Sequence, residues 1–538
     1  MNGDICLATN YLLLTGAARQ MWIDFDRHLR DFDSRLVLLS TAQPETPLPF
    51  PVISVPFLLR EYARLFPGAG GAGGCVSASD FELLEADCVR SNHAYPPGEA
   101  LKGLLACRQV VATVLENLQP GYVLTWDATS PLALILQALA REAGLPVQGI
   151  ERGLLPETML IDSRCMQGWS DLRTHWLAQD MPAFDAAAYE QIRSYYVSRK
   201  PQKYGQPEFG GGGPALRQQL GLEGKKVVVF FGHYDACGLS SKNSNQRRYH
   251  SPGFDSTADA LLALAGWLAR HPDAAVVFKP HPLDFKPYPV AATPGLQVVR
   301  DLNVHALIDL ADVVVTLFTS LQFEATLYDK PIVLLGRSAW WGRNATYEAD
   351  CQADVPEMLA AALNRQDWNT RRSNAQAFVT WMMQQYLIGC TDTAPTRRNL
   401  RDFAQFIAKT SLDARGLPSP EARWGRFLAA IDALKSTVVR APADRPAIPV
   451  LPPGLKPVAG TRPLPPPASA PNPASGGVRI ERPLIFNRLT KGKFMPRINR
   501  PGTNGAPPPA NPGSNGHNGG HPPGSSSSNG HNGKHPPQ

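Results

Sequence analysis

Val276-Val277-Phe278-Lys279-Pro280-His281-Pro282 is an apolar run that stops at a lysine and a histidine, each followed by a proline. The run reads as a buried strand, and the prolines forbid its continuation. Strand ends of open α/β sheets are where such folds bind ligands. A cation and an imidazole held there point to a phosphate-bearing ligand. A second apolar strand, Val313 to Phe318, ends in Thr319-Ser320 at the start of a helix. Hydroxyls and backbone amides at a helix start favour an anion, although ordinary helix capping uses the same donors.

Strand and helix signals alternate on both sides of these motifs. Ile5–Thr9, Leu36–Leu39, Tyr122–Trp126 and Val147–Ile150 read as buried strands. Trp22, Phe25, Leu29 and Phe32 recur at helical spacing between the first two. A second series begins with a strand at Lys226–Phe231 and continues through strands at 275–278, 296–299, 313–317 and 332–335. Such alternation predicts an α/β fold of two doubly wound, Rossmann-like lobes. The boundaries are 1–199 for the first lobe, 200–214 for a Gly-rich linker and 215–395 for the second lobe. C-terminal helices follow over 396–440.

From 441 to 538 the chain turns rich in Pro, Gly, Ser, Asn and His. Such composition buries too little apolar area to offset chain entropy, so this tail reads as disordered. It carries eleven Lys/Arg against Asp444 and Glu481, which leaves the body of a chain of formal net charge +7 slightly acidic. The body gives no reason to expect nucleic acid as a partner. Within the tail, 478–500 combines apolar residues with seven basic ones. It is a candidate contact for an anionic membrane surface or a partner protein, with a solvated linker as the alternative.

The eight cysteines show no CxxC or metal-ligand spacing, which favours free thiols in a reducing cytoplasm. No signal peptide and no apolar stretch long enough to span a bilayer are visible. The expected location is cytoplasmic, with a peripheral site on the inner face of the membrane as an option. No cofactor and no metal are expected.

Other positions complete the candidate set. Glu151-Arg152-Gly153 ends a strand of the first lobe. A carboxylate there, facing the phosphate site across a cleft, would serve as base or nucleophile, and Gly153 would allow a sharp turn. Arg152 could bind an acidic sugar or depress the Glu151 pKa; the pair could equally be a surface ion pair. Glu324, one turn into its helix, would point back to the loop and hold ribose hydroxyls, or simply face solvent. His233 and Asp235 follow the first strand of the second lobe, either as donor contacts or as turn formers. Arg343 and Asn344 are candidates for the cleft edge. Gly68–Gly73 matches GxGxxG but follows Phe66-Pro67 and reads as a loop. Asp24-Phe25-Asp26 and Asp31-Phe32-Asp33 resemble a DxD metal motif, yet their aromatics mark a buried helix stripe and the aspartates its solvated flanks.

Three segments occur in order: Glu151-Arg152-Gly153-Leu154-Leu155-Pro156, Lys279-Pro280-His281-Pro282 and Thr319-Ser320-Leu321-Gln322-Phe323-Glu324-Ala325, the last leading into Asp329–Gly336. This set resembles the bacterial capsule polysaccharide biosynthesis family, which includes Kdo transferases. Bacterial sialyltransferases have a similar trio of acidic-Gly, His-Pro and Ser/Thr motifs. The resemblance covers Leu115 to Gly336. It implies a GT-B glycosyltransferase with a CMP-activated acidic sugar as donor and a glycan or glycolipid as acceptor. By this resemblance Lys279, His281, Thr319 and Ser320 would hold the CMP phosphate and Glu324 the ribose, while Glu151 would be the acidic member of the acidic-Gly motif. The position before the glycine is often Asp or Asn in that pattern; here it is Arg152. The competing readings are a polyol-phosphate transferase using a CDP-alcohol and a non-catalytic, membrane-associated scaffold of the same fold.

Overall fold

The computed structural model describes residues 4–10, 16–41, 44–55, 97–126, 131–162, 168, 170–178, 184–203, 205–208, 211–235, 251, 253–282, 284, 288, 293–414 and 416–439. Outside them lie Gly68–Gly73, Gly210 of the linker, and the tail with its island at 478–500.

The first lobe holds β1 (Asp4–Asn10), α1 (Gly16–Arg30), β2 (Ser34–Ser40), β3 (Val52–Ser54), α2 (Pro97–Leu118), β4 (Tyr122–Trp126), α3 (Pro131–Glu142) and β5 (Val147–Arg152). These strands run parallel in the order β3-β2-β1-β4-β5. The period of two explains the burial: Ile5 and Leu7 enter an apolar cluster with residues of α2 and α3, while Cys6 and Ala8 enter another with residues of α1. Both faces are covered, as a parallel sheet requires. Next, β6 (Thr158–Ile161) folds back antiparallel on β5, and α4 (Asp171–Ala178) and α5 (Ala186–Arg199) follow.

The second lobe contains α6 (Gly212–Gln219), β7 (Lys226–Phe231), α7 (Thr257–Leu268), β8 (Ala274–Lys279), β9 (Leu296–Val298), α8 (Val304–Leu310), β10 (Val313–Thr316), α9 (Leu321–Leu327), β11 (Ile332–Leu334) and β12 (Tyr347–Glu348). Its six strands are all parallel, in the order β9-β8-β7-β10-β11-β12. The direction of winding reverses between β7 and β10, so their carboxyl ends border the crevice where such sheets take ligands. Val227, Val229 and Phe231 face one apolar cluster, and Val228 and Phe230 the other.

After α10 (Val355–Leu363) and α11 (Trp368–Trp381), a π turn over Met382–Tyr386 leads the chain back. There β13 (Ile388–Gly389) pairs antiparallel with β6, and β14 (Arg398–Asn399) runs parallel to β13. Residues from 388 onward thus join the first sheet, ahead of the boundary at 395 that the sequence alternation indicates. Two-residue strands leave no periodic signal, which is why the return is silent in the sequence. The C-terminal helices expected over 396–440 are α12 (Leu400–Thr410) and α13 (Pro420–Val439). Phe403 of α12 stacks on Phe25 of α1 at 5.4 Å between ring centroids. Asp26, expected on a solvated flank, is instead buried: it accepts from the Leu36 amide at 3.2 Å and pairs with Arg30 at 2.7 Å.

The lobes share one apolar cluster, in which Tyr189, Ile192 and Tyr196 of α5 join Phe323, Ala325 and Leu327 of α9. Tyr189 donates its hydroxyl to the Thr326 carbonyl at 3.0 Å, and Arg193 Nε donates to Leu327 at 3.1 Å. Cys6, Cys107, Cys351 and Cys390 are free thiols. Among the described residues, no helix is long and apolar enough to cross a membrane.

Arg423 fastens α13 to the first lobe. Its side chain is fully buried, donates from Nη1 to the carbonyls of Leu118 and Gln119 at 3.3 and 2.7 Å, and lies 3.9 Å from Asp4 Oδ1. Removing it strands the buried Leu118 carbonyl, takes a donor from the Gln119 carbonyl and withdraws the charge beside Asp4. Arg423→Met is expected to cost about 3 kcal/mol, read as a lower urea midpoint; an unchanged midpoint would contradict this role.

Candidate active site

The carboxyl ends of the second sheet gather the polar residues of the motifs. The Gly232 amide, just past β7, donates to the Lys279 carbonyl at 2.9 Å. A Cβ on Gly232 would come within 3.0 Å of the Phe278 ring and 3.3 Å of the His281 amide, so the two strand ends touch there. His281 is half-buried, with the Tyr234 ring stacked at 5.7 Å. The loop beyond it is braced: the Asp284 amide donates to the His281 carbonyl at 2.8 Å, Tyr288 donates to the Asp284 carboxylate at 2.6 Å, and Arg300 to the Asp284 carbonyl at 2.7 Å. Burial lowers the His281 pKa to about 4; the Arg152 charge pushes the same way, and Asp284 opposes. At neutral pH His281 is therefore an uncharged hydrogen-bonding group and not a ready proton source.

Lys279 sits lower in the fold than the strand-end reading implies. It is only 5% exposed, and its Nζ donates to the Arg300 carbonyl at 2.7 Å. Burial brings its pKa down to about 8, with Asp301 opposing. Parity along β8 places Lys279 with Ala275 and Val277 on the face shared with α5, away from Phe278. At least one of its hydrogens is committed to bracing the loop after β9.

Thr319 and Ser320 follow β10 by a few residues, and α9 behind them is two turns long. Ser320 stands at the helix N-cap but in helical backbone geometry, and its side chain caps no amide. Its hydroxyl instead accepts from Lys203 Nζ at 2.7 Å. Glu324 does not face the loop as expected. It is 3% exposed and lies inside the fold, 4.0 Å from His305 Nε2. Burial raises its pKa above the ordinary carboxylate range, and the Lys203 charge opposes. His305 in turn contacts the Tyr328 hydroxyl at 3.1 Å and the Pro201 carbonyl at 3.2 Å.

Glu151 and Arg152, both half-buried, end β5 opposite Leu160 and Met159 of β6. Gly153 serves a close approach, not a left-handed turn: its amide donates to the Thr158 carbonyl at 2.7 Å, and a Cβ would meet Thr158 Oγ1 at 1.8 Å. Arg152 lies near enough to His281 and to Lys203 for its charge to lower both, and Glu151 near enough to raise Lys203. The fold thus brings Glu151, Arg152 and Gly153 of the first lobe to His281 and Ser320 of the second.

His233 and Asp235 divide. The His233 ring packs against Phe318 with centroids 3.9 Å apart, at the mouth of the β7–β10 crevice. Asp235 binds the amide and hydroxyl of Thr257, the latter at 2.6 Å, and so caps the start of α7. Arg343 and Asn344 give their carbonyls to Asn374, which ties that loop to α11. Among the described residues, no group of three or more His, Cys, Asp or Glu is placed to hold a metal ion.

Lys203 escapes the sequence reading. It stands in a Pro- and Gly-rich connection with no periodicity. That connection is not slack: the Gln206 side chain accepts from the Val304 amide at 2.9 Å, and Asn303 donates to the Pro207 carbonyl at 3.1 Å. The segment is laid along α8, and Lys203 reaches from it into the site.

No protein-family model matches the chain, and no curated protein matches it either. Among solved structures it is similar to the beta Kdo 2,7 transferase of Thermosulfurimonas dismutans KpsC, at 19% identity over 52% of this chain and 82% of that one, TM-score 0.33. It is also similar to the beta Kdo 2,4 transferase of the same protein, at 17% identity over 52% and 89%, TM-score 0.35. A third likeness is to the UDP-GlcNAc 2-epimerase of Neisseria meningitidis, at 11% identity over 70% and 98%, TM-score 0.35.

His281 makes the site sensitive to acid. Between its ordinary pKa of 6.5 and the folded value of about 4, the unfolded chain holds the proton more readily. Its contribution to stability is intact above that window and falls as pH drops through it. The loss from pH 7 to pH 5 is about 2 kcal/mol. His281→Gln should melt with a correspondingly flatter pH dependence between 7 and 5; parallel curves for the two proteins would refute the burial argument.

Proposed function

We propose that the chain is a glycosyltransferase of GT-B type, moving a sugar from a nucleotide-activated donor to a glycan or glycolipid acceptor in surface polysaccharide synthesis. The donor we infer is a CMP-linked acidic sugar of Kdo type. One observation carries the reading: the Glu151-Arg152-Gly153 strand end of one lobe stands against His281 and Ser320 at the crevice of the other, close enough for Arg152 to shift the His281 pKa. A carboxylate, a guanidinium, a neutral imidazole and hydroxyls meeting across two doubly wound lobes suit transfer from a phosphate leaving group.

In this reading Glu151 takes the proton from the acceptor hydroxyl, whose oxygen forms the new bond to the anomeric carbon. The bond from that carbon to the CMP phosphate breaks, and its electron pair leaves on the phosphate oxygen. His281 donates a hydrogen bond to that oxygen, and the hydroxyls of Thr319 and Ser320 share the developing charge. Arg152 takes the donor carboxylate through its planar fork. Lys279 acts from beneath by holding the loop after β9, and His233 lines the crevice with Phe318. Glu324 serves the support of the loop and not the ribose directly.

Purified protein incubated with CMP-Kdo should release CMP, and His281→Ala should slow release at least about hundredfold. Turnover of CDP-glycerol with CMP-Kdo untouched would instead favour a polyol-phosphate transferase, and turnover of neither a binding role. Protein hydrogen-bond donors meet the leaving group in this scheme, so excess EDTA should leave the rate of CMP release unchanged; loss of activity restored by a divalent ion would overturn that part.

A further inference from the structure

Lys203 joins the two halves of the site. Its Nζ donates to the carbonyls of Gly153 and Leu154 at 2.6 and 3.2 Å and to Ser320 Oγ at 2.7 Å. An ammonium has three hydrogens and no acceptor, so these partners use its full capacity. The side chain has nothing left to give a ligand while the three bonds hold. Its effect on Ser320 is specific: a hydroxyl that accepts from Lys203 keeps its own hydrogen for another acceptor.

We propose that Lys203 is the positioning residue of this site, a clasp that seats the Glu151-Arg152-Gly153 strand end against the Thr319-Ser320 loop and turns the Ser320 hydroxyl hydrogen toward an anionic ligand. The clasp is charged, and charge-assisted bonds are the stronger kind. Burial, the largest influence, and Arg152 bring the Lys203 pKa down to about 8 against Glu324 and Glu151, which leaves the ammonium the main form at neutral pH. It works across the lobes because its backbone belongs to the pinned connection between them, beside Pro201 on His305. The inference rests on the transferase reading for the identity of the ligand, but the clasp itself does not.

The test uses the full chain and two variants, Lys203→Met, which keeps the stem and removes the donors, and Ser320→Ala, which removes the acceptor. Titration with CMP should show affinity about ten- to hundredfold weaker in each. The double variant should lose little more than either single one, because both break one link. Amide exchange should quicken over 153–158 and 319–322 in Lys203→Met, with the rest of both sheets protected as in the parent. Undiminished CMP affinity in Lys203→Met, or additive losses in the double variant, would overturn the proposal. If Lys203→Met fails to fold, Ser320→Ala reads the same link: weakened CMP binding with quickened exchange at 153–158 supports the clasp, and parental behaviour overturns it. If the parent binds no CMP, the nucleotide reading has failed, and exchange alone decides: local quickening upholds the clasp, and an unchanged pattern rejects it.

Discussion

A parallel sheet covered on both faces leaves polar side chains few places to gather except the ends of its strands. The second lobe is built under that constraint. Val227 through Phe231 and Ala274 through Phe278 alternate between two apolar clusters, and side-chain polarity returns where the strands stop. Lys279, His281, Thr319 and Ser320 are therefore gathered at the carboxyl end of one sheet, although about forty residues of chain separate the first from the third. The reversal of winding between β7 and β10 opens the crevice beside them.

The second dependence is between lobes. Tyr189, Ile192 and Tyr196 place α5 in the core of the other lobe, so the ends of β5 and β10 are held by shared apolar packing before any polar contact is made. Polar links then refine the fit: Lys203 bridges Gly153 and Ser320, and Tyr189 donates to the Thr326 carbonyl at 3.0 Å. The mixture has a physical logic. Apolar burial supplies non-directional cohesion, while a few charged hydrogen bonds specify angle and distance.

Much of this was legible in the residues. Continuous apolar runs with proline or Thr-Ser endings marked the strands, and their alternation with helical spacing marked two doubly wound lobes. The grouping of Glu151, Arg152, Gly153, His281 and Ser320 followed from where those runs stop. Side-chain direction was less legible. Glu324 lies one turn into α9, yet it faces His305 and Lys203 inside the fold, because burial against α5 and α8 decides its side. Asp235 turned out to cap α7, and Lys279 to brace a carbonyl, roles that depend on neighbours distant in sequence. Lys203 carried no signal, since a lysine in an aperiodic connection looks the same whether or not it reaches a site.

The return of β13 and β14 to the first sheet has a consequence for how such a gene can change. In sequence, the second lobe is an insertion within the first: the first lobe's sheet begins at β1 and is completed by β13 and β14, with β7 to β12 threaded between. A single genetic crossover within the inserted stretch would pair one parent's β6 with another parent's β13 and remake the sheet edge nearest Glu151. Two crossovers, one in each connection between the lobes, would exchange the whole crevice-bearing lobe and leave that edge intact. Recombination in this architecture therefore favours replacing the second lobe as a block, so that its ligand preferences can drift independently of the lobe that faces it.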